Sequence, residues 1–154
     1  MTAVRSFASL DDFVAVVGEE IGVSGWHEID QHRIDAFADV TGDHQWIHVD
    51  PDRAADGPWG TTVSHGFLTL SLLPYLLDEI WRVDGVPTVI NYGVDRVRFP
   101  SAVPSGSRVR ARAFLATVER HPRGVRSRVE VVVEVDGTAK PACVAEVLSL
   151  LVVA

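Results

Sequence analysis

The longest apolar segment of the chain reads Ser64-His-Gly-Phe-Leu-Thr-Leu-Ser-Leu-Leu-Pro-Tyr-Leu-Leu-Asp-Glu-Ile-Trp81. Its apolar residues point in nearly all directions around a helical wheel, and a helix that is apolar on every side is a buried one. Ser64 is the predicted N-cap, and Pro74 is expected to kink the helix. The segment therefore predicts one long central helix that the rest of the chain encloses.

The chain after residue 86 has the pattern of β-strands. From Arg108 to Ala113 and, in all but one case, from Arg128 to Asp136, apolar side chains alternate with polar ones, which is typical of antiparallel strands with one covered face. Glu130 and Glu134 are expected opposite the arginines of the preceding strand. The stretch from Val144 to Val153 is more uniformly apolar and predicts a central strand.

Shorter elements precede the central segment. Ser9 is expected to start a helix, Trp26 to Ile29 forms a predicted strand, and Asp30 is the predicted N-cap of a helix that stops at Thr41-Gly42. Four long strands and one enclosed helix predict an α+β fold in which an antiparallel sheet curls around the helix. At 154 residues the whole chain, 1–154, is expected to form a single domain.

The composition narrows the classes of function. The net charge is −7 and the 14 Lys and Arg residues form no cluster, so nucleic-acid binding is not expected. Cys143 is the only cysteine, which excludes a disulfide or a cysteine metal site within one chain. No apolar run reaches the length of a membrane span, and the first residues lack the apolar core of a signal peptide. We therefore expect a cytoplasmic protein that does not associate with membranes.

The segment between Phe37 and Ala54 holds the clearest candidate for chemistry. Asp43 and His48 are five residues apart, so a straight helix would place them about 140° apart and a strand would place them on opposite faces. The two side chains converge only if the backbone turns between them, and Gly42 tolerates the positive φ that such a turn requires. A carboxylate and an imidazole brought together can hold a water molecule and exchange protons with it.

This loop and the start of the central helix carry a family resemblance. The motif consists of Phe37, then Gly42-Asp43-His44-Gln45-Trp46-Ile47-His48, then Ala54, with His65-Gly66 opening the helix. With these residues the chain resembles the MaoC-like (R)-specific enoyl-CoA hydratases, which have the hotdog fold, and the resemblance extends over residues 25–153. The family signature has Asn and Pro where this chain has Gln45 and Trp46.

The resemblance implies a reaction and a set of roles. Asp43 and His48 hold the water that adds across a trans-2-enoyl thioester to give a (3R)-hydroxyacyl thioester, and the N–H of Gly66 donates to the oxyanion. Coenzyme A enters as part of an acyl-CoA substrate, so neither a separate cofactor nor a metal is expected. A homodimer joined along the sheet edges is also implied. The residues expected to contact the substrate are Gln45, Trp46, His65, Tyr92 and Arg98. Of these, Trp46 and Tyr92 are expected to line the acyl channel. Arg98, Arg96 or Arg108 is expected to contact the phosphates of coenzyme A.

Other interpretations stay open at this point. Asp43 also fits a simple turn residue, Gly66 fits a close packing contact at the helix entrance, and His65 fits a support for the helix start. The same scaffold suits a dehydratase acting on acyl carrier protein or a thioesterase, and a non-catalytic partner subunit is the alternative without chemistry. The cluster of Asp43, His44, His48 and Asp50 matches no zinc spacing, so no metal site is predicted.

Overall fold

The computed structural model describes residues 3–153. Its strands are β1 (Arg5–Phe7), β2 (Glu20–Val23), β3 (His27–Ile29), β4 (Trp81–Val83), β5 (Thr88–Arg98), β6 (Ser107–His121), β7 (Gly124–Val135) and β8 (Cys143–Val152). Its helices are α1 (Leu10–Ala15), α2 (Gln31–Thr41), α3 (Trp46–Val49), α4 (Pro51–Ala55), α5 (Gly66–Ser71) and α6 (Leu73–Asp78). None of the described helices has the length and apolar character needed to cross a membrane.

One antiparallel sheet organises the molecule. The strand order is β2–β6–β7–β8–β5, and β3 pairs with the first residues of β6. The four long strands expected after residue 86 are present, with β8 in the interior between β7 and β5. A separate parallel pair joins β1 to β4. The sequence pattern predicts the short strand β3 but not β1, β2 or β4, since three or four residues show at most a weak period of two.

The core lies between the inner face of this sheet and the central helices. On β7 the residues Val129, Val131 and Val133 are at most 2% exposed, and the two residues between them are more exposed, as the period of two predicts. Leu73 and Leu76 of α6 belong to the same buried cluster. Their burial holds the helices against the concave side of the sheet, which is the arrangement that the sequence predicts.

The predicted pairing of charges across strands is confirmed for Glu134 and wrong for Glu130. Glu134 lies opposite Arg110, and the two side chains form an ion pair of 2.6 Å. Glu130 lies opposite Phe114 on β6 and Glu146 on β8. The physical reason is that the run of alternating arginines ends at Arg112, before β6 reaches the position that Glu130 faces.

The central helix starts and ends inside the predicted range. Its first residue is Gly66, with His65 at the N-cap position. The N–H of Ser64, the predicted cap, instead donates to the carbonyl of Val103 at 2.8 Å, which ties that residue to a neighbouring segment. Trp81, expected in the helix, is the first residue of β4. The helix is therefore shorter than predicted at both ends, because backbone partners outside the helix are available to Ser64 and Trp81.

The helix is also divided and less buried than predicted. The kink expected from Pro74 is present as a break at Leu72 between α5 and α6, because proline has no N–H to donate to Leu70. Phe67 is 69% exposed and Tyr75 is 47% exposed, so one side of the helix pair is open. The prediction of a helix buried on every side was wrong, since apolar periodicity does not distinguish a buried side from one left for another molecule.

Candidate active site

Helix α2 ends where the sequence predicts a turn. Asp30 caps its start by accepting a hydrogen bond from the Arg33 N–H, and Gly42 ends it with a φ of 78°. Nothing lies within 4 Å of the place where a Gly42 Cβ would stand, so the left-handed backbone, and not crowding, favours glycine here. The chain leaves the helical path for residues 43–45 before α3 begins at Trp46. The short helix α3 lies where the sequence pattern predicts only irregular loop.

The turn brings Asp43 and His48 together. One carboxylate oxygen of Asp43 and one nitrogen of each of two imidazoles, His48 and His65, lie within 4.8 Å of one another. Asp43 is exposed, whereas His48 and His65 are buried, with 7% and 2% of their surface exposed. The convergence inferred from the five-residue offset is therefore present, and His65 joins the pair as a third member.

His48 has one unprotonated ring nitrogen. Its Nδ1–H donates to the carbonyl oxygen of Val63 at 2.6 Å, and a carbonyl only accepts, so Nδ1 carries the proton and Nε2 holds a lone pair. Burial lowers the pKa of His48, while the bond to Val63 and the charge of Asp43 oppose that shift only in part. His48 is therefore neutral at pH 7 and able to accept a proton.

His65 connects the loop that carries Asp43 to the ring of His48. Its Nε2–H donates to the backbone carbonyl of Asp43 at 2.9 Å. Its ring stacks on that of His48, with centroids 3.8 Å apart and planes 25° apart, and also contacts Phe37. Its Nδ1 is buried and has no hydrogen-bond partner among the described residues. His65 thus contacts both the backbone of Asp43 and the ring of His48, and its expected contact with substrate stays a prediction.

A pocket of about 440 Å³ opens beside Asp43. Its walls combine apolar side chains of α2 and α5 with two hydroxyl groups, and the lining residues are Phe37, Thr41, Asp43, Phe67, Leu70 and Ser71. We call this space the Asp43 pocket. His48 and Gly66 do not line it, so Asp43 is the side chain that joins the pocket to the histidines. Sequence reasoning missed the wall from α5, although its spacing of three and four residues is the signal of one helix face.

Gly66 begins α5 beneath the ring of Phe99. The N–H groups of Leu68 and Thr69 donate to the carbonyl of His65, whereas no described residue accepts from the N–H of Gly66. A Cβ at Gly66 would stand 2.8 Å from the Phe99 ring, which is closer than such atoms normally approach. The geometry thus supplies both features considered from the sequence, a tight packing contact and an N–H without an acceptor.

Gln45 and Trp46, which replace the usual Asn and Pro, stand at the start of α3. The carbonyl of Gln45 accepts a hydrogen bond from the His48 N–H at 2.9 Å. The ring of Trp46 packs against Arg53, whose guanidinium carbon lies 4.3 Å from the ring centroid, and against Gly57. Neither residue lines the Asp43 pocket, so their contact with substrate stays a prediction.

The two predicted contacts on β5 lie in different places. Tyr92 is 57% exposed, and the guanidinium carbon of Arg126 lies 5.6 Å from its ring centroid, which puts it on the outer face of the sheet, away from the Asp43 pocket. Arg98 ends β5 and directly precedes Phe99, the residue that covers Gly66. The structure therefore brings Arg98 near the start of α5 and does not bring Tyr92 there. Both roles stay predictions.

The cluster of Asp43, His48 and His65 has the composition of a metal site but not its geometry. The lone pairs of an imidazole lie in the plane of its ring, and two stacked rings with planes 25° apart do not aim at one ion at about 2.0–2.1 Å. The arrangement is better suited to holding a hydrogen-bonded water.

Comparisons with known proteins find relatives that match most of the length of the chain. A family model described as the MaoC like domain matches residues 12–138. The chain is 56% identical over 144 residues to 3-hydroxyacyl-thioester dehydratase Z of Mycobacterium tuberculosis, covering 93% of this chain and 95% of that protein. It is 43% identical over 151 residues to nodulation protein N of Rhizobium leguminosarum, covering 93% and 91%.

The fold also has solved counterparts. The unliganded R-hydratase PhaJ1 from Pseudomonas aeruginosa superimposes with a TM-score of 0.72 at 22% identity, over 90% of this chain and 83% of that one. This likeness confirms the predicted arrangement of a curved sheet around a central helix. Together with the family model and the identity to the mycobacterial protein, it shows that this chain belongs to the MaoC-like dehydratase family and is a lyase with the hotdog fold.

Proposed function

We propose that the chain catalyses the reversible (R)-specific hydration of trans-2-enoyl-CoA to (3R)-hydroxyacyl-CoA. The observation that supports this reaction best is the convergence of Asp43 and a neutral His48 beside a pocket with apolar walls. A carboxylate and a neutral imidazole both accept hydrogen bonds from a single water. The name of the mycobacterial relative, a 3-hydroxyacyl-thioester dehydratase, supports the same reaction in the reverse direction.

The catalytic step uses the water held between Asp43 and His48. The water donates one hydrogen bond to the carboxylate and one to Nε2 of His48. As its oxygen bonds to Cβ, His48 accepts the proton and the electron pair of the double bond moves toward the thioester oxygen. The imidazolium, stabilised by the nearby carboxylate, then returns the proton to Cα. General acid–base catalysis of this kind contributes about 10²–10⁴-fold in rate.

The negative charge that develops on the thioester oxygen needs a donor, and we assign the N–H of Gly66. This group starts α5, where the N–H groups of the first turn lack intrahelical partners and the helix dipole is positive. Glycine also leaves no side chain between the backbone and the incoming oxygen. The loss of one such donor costs about 10²–10³-fold in rate.

The thioester handle is proposed to be coenzyme A, with acyl carrier protein as the alternative. Among the three arginines considered for the phosphates, Arg108 is paired with Asp136 and Arg96 with Glu146. Arg98 is exposed and donates only to a backbone carbonyl, so its charge is not neutralised by a described carboxylate. Arg98 is therefore our candidate for a phosphate contact.

We further propose that two copies of the chain pair through β5. This strand is at the edge of the sheet, and it carries four large apolar side chains that are 37–57% exposed, namely Val89, Ile90, Tyr92 and Val94. An apolar edge strand of this length is a template for pairing with another chain. Because the chain has its own Asp43 and His48, it does not depend on a catalytic partner of different sequence. A second copy is thus the preferred partner.

Crotonyl-CoA tests the reaction directly. We expect the purified protein to remove the enoyl absorbance without releasing free thiol, and we expect the product to be the (3R) isomer. Thiol release from an intact enoyl ester would identify a thioesterase instead. Turnover of enoyl esters on acyl carrier protein, but not on coenzyme A, would assign the alternative handle. No turnover of any enoyl thioester would contradict the proposal.

A further inference from the structure

Asp43 lies in a short stretch, residues 43–45, whose local hydrogen bonds are long. The backbone nitrogen of Asp43 lies 3.4 Å from Oγ1 of Thr41, and the backbone nitrogen of Gln45 lies 3.4 Å from a carboxylate oxygen of Asp43. Ordinary N–H···O bonds span about 2.7–3.2 Å. Asp43 is also exposed, so packing does not fix its side chain. The position of this carboxylate therefore depends on a contact from elsewhere in the fold.

His65 provides such a contact. Its Nε2–H donates to the backbone carbonyl of Asp43 at 2.9 Å, across 22 residues of sequence. The other hydrogen bonds that the structure describes for residues 43–45 come from residues 39–48. Among the described residues, the bond from His65 is therefore the one that ties this stretch to the start of α5.

The ring of His65 is itself held in place by its neighbours. It is 2% exposed, it stacks on His48 with centroids 3.8 Å apart, and it lies against Phe37 with centroids 4.9 Å apart. Close packing of this kind leaves the imidazole little freedom to turn, so its donor stays aimed at the Asp43 carbonyl. The packing that aims the bond thus includes His48, the second reacting side chain.

Two simpler explanations for a histidine at position 65 fit the structure less well. The side chain of His65 makes no hydrogen bond at the start of α5, so it does not cap that helix. Packing alone also does not require an imidazole, because an apolar ring would fill the space without a buried nitrogen. Nδ1 of His65 is buried and has no partner among the described residues, which is destabilising. The bond that Nε2 donates to Asp43 is therefore the better explanation.

We propose that His65 is a positioning residue for the hydration, and that its bond to the Asp43 carbonyl holds the carboxylate where it shares a water with His48. This inference rests on the proposed hydratase function. His65 acts through the placement of Asp43 and transfers no proton itself. Misplacement of a reacting group by about 1 Å costs about 10²-fold in rate, so loss of the bond lowers kcat. KM changes little, because His65 does not line the Asp43 pocket.

Two substitutions separate the donor of His65 from its ring. His65→Phe keeps a flat ring for the stack on His48 but has no N–H, whereas His65→Gln has no ring but carries an amide N–H that can donate to the same carbonyl. With crotonyl-CoA we expect His65→Phe to lose about 10²-fold in kcat, with KM within about threefold of wild type. His65→Gln should turn over about 10-fold faster than His65→Phe, because it restores one hydrogen bond. A role in packing alone predicts the opposite order of the two variants.

NMR order parameters of the backbone amides of residues 43–45 measure the positioning without reference to activity. In His65→Phe they should fall from the values of a rigid backbone, about 0.85, toward about 0.6, and in His65→Gln they should stay near wild type. His27→Phe is the matched control, because it removes a ring donor with the same bond length, 2.9 Å to Glu79, outside the candidate site. It should leave both kcat and the order parameters of residues 43–45 unchanged.

Circular dichroism establishes which variants keep the fold, and His65→Leu, which also lacks a donor, replaces His65→Phe if the latter does not fold. Near-normal kcat of the donorless variant, a loss confined to KM, or a glutamine variant no faster than the phenylalanine one would overturn the inference. Absent turnover of crotonyl-CoA by wild type would instead count against the proposed reaction. In that case unchanged order parameters in the donorless variant would still contradict the role of His65.

Discussion

If His48 accepts the proton of the water, as we propose, it must be neutral to do so and therefore sets the pH dependence of the reaction. Burial lowers its pKa below the ordinary 6.5, so the neutral form persists to lower pH than for an exposed histidine. Activity should be full above the ordinary pKa and should fall only as the pH drops through the lowered value. We therefore expect the acid limb of kcat/KM for crotonyl-CoA to have its midpoint below pH 6.5.

His44 supplies the control for this profile. It is an exposed neighbour whose hydrogen bond to Asp39 raises its pKa. Its pKa is therefore shifted in the opposite direction from that of His48. The variant His44→Ala should keep the wild-type profile. An acid limb at or above pH 6.5, or one that moves when His44 is removed, would show that a group other than buried His48 controls the rate.

Glycine at position 66 has two explanations, close packing against Phe99 and access of the thioester to the backbone N–H. A pair of variants distinguishes them. A methyl group at this position would meet the Phe99 ring at 2.8 Å, so Gly66→Ala should lose about 1–3 kcal/mol of unfolding free energy through overpacking. Adding Phe99→Ala makes room for the methyl group and should restore part of that stability. If the N–H of Gly66 must approach the thioester closely, the double variant should remain at least about 10²-fold slower than Phe99→Ala alone.

Chemical denaturation and crotonyl-CoA kinetics on the same three variants provide the measurement. Near-equal rates for the double variant and Phe99→Ala would mean that glycine is present only for packing. The sequence alone does not distinguish the packing role of Gly66 from the catalytic one, because Phe99 lies 33 positions after Gly66 in the chain and no spacing rule connects them. The same applies to the carbonyl of Val63, which fixes the His48 tautomer. By contrast, Asp43, His48 and Gly42 were found from the sequence because their geometry is local.

At the scale of secondary structure, the charge network on the outer face of the sheet makes an acid-sensitive contribution to stability. Burial opposes ionisation of Glu134, but its bonds to Arg110 and Arg112 prevail and lower its pKa. A carboxylate with a lowered pKa stabilises the fold above its unfolded pKa, and this contribution is lost as the pH falls through the folded value. Glu134→Gln should therefore cost about 1 kcal/mol at pH 7, because these side chains are partly exposed.

Urea denaturation at pH 7 and at pH 3 measures the effect. The difference between Glu134→Gln and wild type should shrink at pH 3, because the contribution decreases as the pH falls below the unfolded pKa toward the lowered folded one. Glu130→Gln is the matched control on the same strand, since Glu130 faces Phe114 and Glu146 and forms no ion pair with a described residue. A constant difference between pH 7 and pH 3 for Glu134→Gln would contradict the electrostatic explanation.

The elements differ in how well the sequence predicts them. The long strands were predicted correctly because one face is buried and the other is exposed to solvent. This difference gives β6 and β7 a hydrophobic pattern with a period of two. The caps of α1 and α2 were also predicted, since Ser9 and Asp30 act on the neighbouring backbone. The central helix was predicted in position but not in burial. Its exposed side is as apolar as its buried side, and a sequence does not say which side another molecule covers.

At the scale of the whole molecule, the exposed apolar residues of β5 predict a dimer. Sedimentation should give a species of twice the 16.8 kDa chain mass. Val94→Lys places a charge on the edge strand and should shift the protein toward monomer. Val17→Lys is the matched control, because Val17 is 41% exposed and Val94 is 45% exposed, but Val17 lies outside the sheet edge. Wild-type protein that sediments as a monomer, or equal behaviour of the two variants, would contradict pairing through β5.

The most direct test of the central claim is the turnover of crotonyl-CoA by Asp43→Ala and His48→Ala beside wild type. If the two side chains share the water that adds to the enoyl thioester, each variant should lose at least about 10²-fold in kcat, while His44→Ala should keep the wild-type rate. Circular dichroism of each variant establishes that the fold is retained. Near-normal turnover by either folded variant would contradict the claim that a carboxylate and an imidazole at this turn perform the chemistry.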